Sequence, residues 1–215
     1  MKTVVYIESS VISYLVSRPS RDVIVAGRQA LTLEWWENEK QRFDLRVSAL
    51  VEDEIGRGDP AAAKRRLALI EQIPSLAVTD NALVLSERLI SEKAIPAGSE
   101  DDALHIAIAA TQGVDYLLTW NFKHINNAET KNLITRVVES LGYFAPYFAR
   151  LKNSEAHLMI EDPIVEEMRT HREEHASAYG HDLRRIIAAL RKREAQSKRP
   201  VLNPGPKYLL QKTGS

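Results

Sequence analysis

The chain has 215 residues, 44% hydrophobic and 27% charged, with 29 basic residues, 29 acidic residues and no cysteine. Such a composition fits a folded core in one domain, or one domain with an appended segment. It excludes a wholesale polycation that coats nucleic acid by net charge, as well as disulfides, thiolate metal sites and cysteine nucleophiles. No apolar run approaches the roughly 20 residues needed to span a bilayer, and the run from Thr3 to Ile7 is too short for the core of a signal peptide. The expectation is a soluble cytoplasmic protein with no membrane partner.

In chain order, Thr3 to Ile7 is β-branched and aromatic and predicts a buried strand. Ser9 and Ser10 are cap candidates for a helix through Leu15, and Ser20 for a long helix to about Arg42. Asp44 to Val47 reads as a second strand, with Ser48 capping the helix after it. Ala61 to Gln72 is helical by composition, Leu76 to Val78 is a short strand, and Asp80 caps a helix to Glu92. Ser99 caps the next helix, stopped by Gly113, and Val114 to Thr119 is the clearest strand. After a loop at Asn121 to Asn127, an amphipathic helix runs from Glu129 to Leu141. Strands alternating with helices at this spacing predict an α/β domain with a parallel sheet between helices, ending near residue 150.

Residues 151–215 differ. Asp162-Pro163 opens one helix, with Ile164, Val165 and Met168 as its apolar side. Asp182 opens another, with Leu183, Ile186, Ile187 and Leu190 in one stripe. Neither can bury a core alone, so both need a surface to lie on. The last stretch, rich in proline and glycine, reads as an extended arm. Residues 1–150 hold 17 basic and 20 acidic residues, and residues 151–215 hold 12 and 9. A basic tail on a mildly acidic domain points to an intramolecular contact.

Polar residues gather where strands end and helices begin. Glu8 follows the first strand, Glu54 lies on the helix after the second, Asp101 and Asp102 open the helix before the fourth, and Thr119 and Asn121 follow it. The carboxyl ends of parallel strands share one edge, the usual ligand crevice. Carboxylates brought together there repel unless a cation intervenes, and an all-oxygen set favours Mg²⁺ or Mn²⁺. Such an ion can activate water and clamp the oxygens of a phosphodiester. Ser10 is an auxiliary candidate to orient a metal-bound water, although a helix cap explains it equally well. His105 is another, and His124 follows Asn121 near the rim, but a lone histidine there is more often a hydrogen-bonded packing residue. Lys123 could contact a phosphate, with a solvated lysine as the default.

Tyr6 to Leu15 (YIESSVISYL), Val47 to Ile55 (VSALVEDEI), Asp102 to Ala107 (DALHIA) and Tyr116 to Asn121 (YLLTWN) together resemble the ordered motifs of PIN-domain proteins, most nearly the VapC-type toxins of bacterial toxin–antitoxin systems. The resemblance covers roughly residues 1–145. It implies a sheet of order 3-2-1-4-5 and a Mg²⁺- or Mn²⁺-dependent ribonuclease acting on RNA. Glu8, Glu54 and Asp102 then take the metal-ligand positions and Asn121 the fourth acidic position. Glu8 stands where many members have aspartate, and Asn121 where an acid is frequent, which removes a negative charge.

Residues 161–175 and 182–194 resemble a small antitoxin-like protein, and Met159 lies where a separate chain could begin. The implied organisation is a PIN domain at 1–150 with an inhibitory helical extension at 151–215. The arm would bring Lys198, Arg199 or Lys207 over the acidic rim, in cis or by a swapped homodimer. The opposite sign, an RNA-binding tail that raises activity, stays open. Two further readings compete. One is a non-catalytic PIN-like module that binds RNA or protein. The other is a zinc peptidase through the H-x-x-E-H pattern of His171, Glu174 and His175.

Overall fold

A computed structural model of the chain describes residues 2–121, 123–125, 128–149 and 162–209. Six strands form one all-parallel sheet: β1 (Thr3–Ile7), β2 (Phe43–Ser48), β3 (Ser75–Leu76), β4 (Tyr116–Leu118), β5 (Tyr147–Ala149) and β6 (Val201–Leu202), in the order β5-β4-β1-β2-β3-β6. Five of these reproduce the expected order read from the other edge. The sixth comes from the arm. β1 is central because Val5, Tyr6 and Ile7 are buried, which suits a strand covered on both faces. Tyr6 pairs with Arg46 on one side and Leu117 on the other.

The flanking helices are α1 (Ser9–Val16), α2 (Val23–Glu34), α3 (Ala49–Ile55), α4 (Pro60–Leu69), α5 (Asp80–Ser91), α6 (Glu100–Thr111), α7 (Ala128–Ser140), α8 (Pro163–Ala178) and α9 (Leu183–Gln196). Several caps differ from expectation. The Glu8 side chain itself caps α1, accepting from the Ser10 amide, because the carboxylate sits at the strand–helix junction. Asp22 rather than Ser20 caps α2, and Thr79 rather than Asp80 caps α5. Ser99 takes the N-cap position of α6 without a side-chain bond, leaving that helix start to Glu100, Asp101 and Asp102. The long second helix reaches Arg42 by passing through a π-helical turn at Trp35–Glu39 and a 3₁₀ turn at Lys40–Arg42.

Residues 162–209 share the core of the rest. Ile164, Val165, Ala176, Ile186, Ile187 and Leu190 join one contiguous hydrophobic cluster with the strands and helices before them. Asp162 starts α8 by accepting from the Ile164 and Val165 amides, and is anchored by Tyr14 and by Arg28 at 2.6 Å. α8 packs on α1, α3 and α6, and α9 packs on α3 and α5. Beyond β6 the arm passes Gly113, and the Phe144 amide donates to the Lys207 carbonyl at 2.8 Å. Met159 and the expected boundary near residue 150 lie outside the described residues.

Candidate metal centre

The first acid sits at the carboxyl end of β1. Glu8 is buried and braced from three sides: Ser9 Oγ donates to Oε1 at 2.7 Å, Thr119 Oγ1 donates to Oε2 at 2.7 Å, and Ser10 Oγ donates to the same Oε2. Ser10 Oγ also accepts from the Trp120 amide at 2.9 Å, and Thr119 Oγ1 from the Asn121 amide at 2.9 Å. Thus both hydroxyls tie the end of β4 to Glu8.

Glu54 enters from α3. His105 of α6 faces it, with Nε2 at 3.0 and 3.1 Å from the two carboxylate oxygens. The other ring nitrogen, Nδ1, is 2.8 Å from the Tyr6 hydroxyl, which is 2.7 Å from Ser48 Oγ. Asp102 completes the set from the first turn of α6. Asn121 Nδ2 donates to its Oδ1 at 3.0 Å, and His124 Nδ1 lies 2.7 Å from its Oδ2. Glu8, Glu54, Asp102 and Asn121, separated by more than a hundred residues in sequence, therefore meet at one point.

The cation at that point is Arg172 of α8. Its Nε donates to Glu54 Oε1 at 2.7 Å, its Nη1 to Asp102 Oδ1 at 2.6 Å, and its Nη2 to Glu8 Oε1 and to Ser9 Oγ at 2.9 Å. One planar guanidinium thus engages carboxylates from three separate elements. The lysines and arginine expected here are elsewhere. Arg199 pairs with Glu52 and donates to the Ile70 and Ile73 carbonyls, Lys207 pairs with Asp115, and Lys198 is exposed. The arm runs along the sheet edge and away from the rim, so the helix ahead of it supplies the cation. A signal for Arg172 existed in the sequence: it falls four residues after Met168, on the apolar stripe of its helix, where a charge needs a partner.

Electrostatics follow from crowding. Burial pushes the Glu54 carboxyl up from the ordinary range. Burial by itself would lower His105, but the facing Tyr6 and Glu54 outweigh it and hold the imidazole at about 10. Burial brings the Arg172 guanidinium down to about 9, which leaves it charged at neutral pH. The single guanidinium does not balance three carboxylates, and a proton held between Glu54 and His105 reduces the excess.

Asp101 turns away from this set. Its Oδ2 meets His175 Nδ1 at 2.7 Å, and burial raises its carboxyl. Asn121 is held by a second arginine of α8: Arg169 Nη2 donates to its Oδ1 at 3.1 Å. Lys123 is exposed. The H-x-x-E-H residues do not converge. His175 is committed to Asp101 and lies 3.7 Å from Asp53, whereas His171 is packed at Gly58. Among the described residues, the group whose donors fit a metal is Glu8, Glu54 and His105, with one ligand atom from each all within 4.8 Å of one another. This buried group can hold a metal ion, and a cation already draws the same carboxylates together. Among the described residues, no helix is long and apolar enough to cross a membrane.

Comparisons with protein-family models, with curated proteins and with solved structures find no match.

Proposed function

We propose that this chain is a PIN-domain ribonuclease of the VapC type, dependent on Mg²⁺ or Mn²⁺ and held inactive by its own C-terminal segment. The observation that carries this reading is the convergence of Glu8, Glu54 and Asp102 on one cation at the carboxyl edge of a parallel sheet. The four sequence motifs and the sheet order support it. When bound, the metal would supply an activated water and charge stabilisation for a phosphodiester. Glu8, Glu54 and Asp102 would hold it. Asn121 orients Asp102, while Ser9, Ser10 and Thr119 fix the rotamer of Glu8.

Inhibition on this reading has a simple physical form. The Arg172 guanidinium takes the place of metal charge, and α8 covers the rim through which a phosphate would enter. Covalent attachment keeps the local concentration of the inhibitory helix at roughly millimolar or more. α8 and α9 are held by Ile164, Val165, Met168, Leu183, Ile186, Ile187 and Leu190, each worth about 1.5–3 kcal/mol when fully buried.

The test is RNA cleavage by the full chain beside Arg172→Ala, with Mn²⁺ and with EDTA. Metal-dependent cleavage by the variant, at least about a hundredfold above the parent, is expected. Adding Asp102→Asn to that variant should return cleavage to the EDTA level while circular dichroism stays unchanged. A folded Arg172→Ala chain that neither binds Mn²⁺ nor cleaves RNA would instead identify a non-catalytic binding module.

A further inference from the structure

We infer that His105 is a direct metal ligand of this centre, through Nε2, and that it shifts the site's preference from Mg²⁺ towards Mn²⁺. This rests on the metal-dependent reading proposed above. It goes beyond that reading because an all-carboxylate site needs no nitrogen donor.

The position of Arg172 Nη2 carries the inference. This one nitrogen touches Glu8 Oε1, lies 2.9 Å from Ser9 Oγ, 3.2 Å from Glu54 Oε2 and 3.4 Å from His105 Nε2. A cation seated there has the imidazole nitrogen within reach as well as the two glutamates, Glu8 nearest and His105 farthest. Glu8, Glu54 and His105 also place their ligand atoms within 4.8 Å of one another, close enough to share an ion. The second ring nitrogen is anchored. His105 Nδ1 meets the Tyr6 hydroxyl at 2.8 Å, that hydroxyl meets Ser48 Oγ at 2.7 Å, and all three side chains are buried. When Tyr6 donates to Ser48 and accepts from Nδ1–H, Nε2 is the nitrogen left to face the carboxylates, and a metal ion bound there would displace the proton it shares with Glu54 to solvent. This is the outer-partner arrangement that orients histidine ligands at metal centres.

The consequence is selectivity. Mg²⁺ favours oxygen donors and retains its waters, whereas Mn²⁺ accepts imidazole more readily and stands higher in affinity for mixed nitrogen and oxygen sites. Metal and Arg172 are also mutually exclusive on this geometry, because both would occupy the position of Nη2.

The experiment uses the full chain carrying Arg172→Ala, titrated with MnCl₂ and MgCl₂ and followed by calorimetry and pulsed EPR of bound Mn²⁺. Arg172→Gln, which keeps a polar side chain in the same space, serves where the alanine variant does not fold. Expected are Mn²⁺ binding at least about tenfold tighter than Mg²⁺ and a ¹⁴N coupling to Mn²⁺ that becomes a ¹⁵N coupling when histidine is ¹⁵N-labelled. His124 is the nearby alternative donor, since its Nδ1 bonds Asp102, so the coupling should persist with His124→Gln and vanish with His105→Gln. Tight Mn²⁺ binding without histidine coupling, or coupling that vanishes with His124→Gln, overturns the ligand assignment and leaves the metal-dependent reading standing. No Mn²⁺ binding by a folded Arg172 variant overturns both.

Discussion

Arg172 is one buried cation against three buried carboxylates, and removing one partner of such a set leaves uncompensated charge. In the absence of divalent ions, Arg172→Ala should lower stability by about 3–5 kcal/mol, read from urea denaturation. Millimolar Mn²⁺ should restore much of that loss in the variant and leave the parent chain unaffected. Equal stability of variant and parent in EDTA would mean that the carboxylates do not depend on the guanidinium. At this scale the acids themselves were legible. Glu8, Asp102 and Asn121 were marked by their places at strand ends and a helix start, and Glu54 by its place on the helix after β2. Tyr6, Ser9 and Arg169 were not, because their partners on other elements lie 42 to 163 residues away and leave no local mark on the pattern around them; Arg172 left one, a charge on the apolar stripe of α8, but nothing that named its partners.

Among the elements, α8 and α9 follow from their caps and stripes, and Asp162, Pro163 and Asp182 open them as the sequence indicates. Their docking relies on charge as well as on apolar contact. Asp53 of α3 pairs with Arg57 of its own segment and with Arg193 of α9, and faces His175 of α8. Burial by itself would push the Asp53 carboxyl up, but these cations hold it below the usual range. A lowered carboxyl stabilises the folded state above its unfolded value of about 3.9, and that stability disappears as pH falls through the folded value. Urea midpoints should therefore fall on acidification below about pH 4. Asp53→Asn should lower the midpoint at pH 6 and flatten the part of the acid-side decline that this residue contributes. An unchanged acid-side slope in Asp53→Asn would show that other carboxylates set it. β5 and β6 went unlocated in the sequence because each directly follows a proline, Pro146 or Pro200, in a stretch that reads as loop or extended arm.

Across the whole molecule, the C-terminal segment crosses the rim with α8, lies on α3 and α5 with α9, lengthens the sheet with β6, and then passes the end of α6. The last crossing needs Gly113. Its φ of +63° lies in the left-handed region, and a Cβ there would stand 2.8 Å from the Gly205 carbonyl oxygen. Gly113→Ala should cost more than about 1 kcal/mol. It should also speed hydrogen exchange at the Leu209 amide, which donates to the Gly142 carbonyl at 2.8 Å. Unaltered exchange at Leu209 would mean that the arm tolerates the methyl group by a small shift of its backbone.

The sequence by itself determined the α/β class, the place of the acids at strand and helix ends, and the helical character of residues 163–178 and 183–196. Each of these depends on neighbours a few positions apart, through alternation, helical spacing and capping. Only the tertiary structure decided which cation meets the acids. Net charge pointed to the arm because nine basic residues fall between Arg184 and Lys212. Position overrode that count: α8 docks by its apolar stripe across the carboxyl edge of the sheet, and the docking carries Arg172 into the cluster. The arm is drawn instead to the unpaired edge of β3, where its backbone finds hydrogen bonds and its arginine and lysine find Glu52 and Asp115.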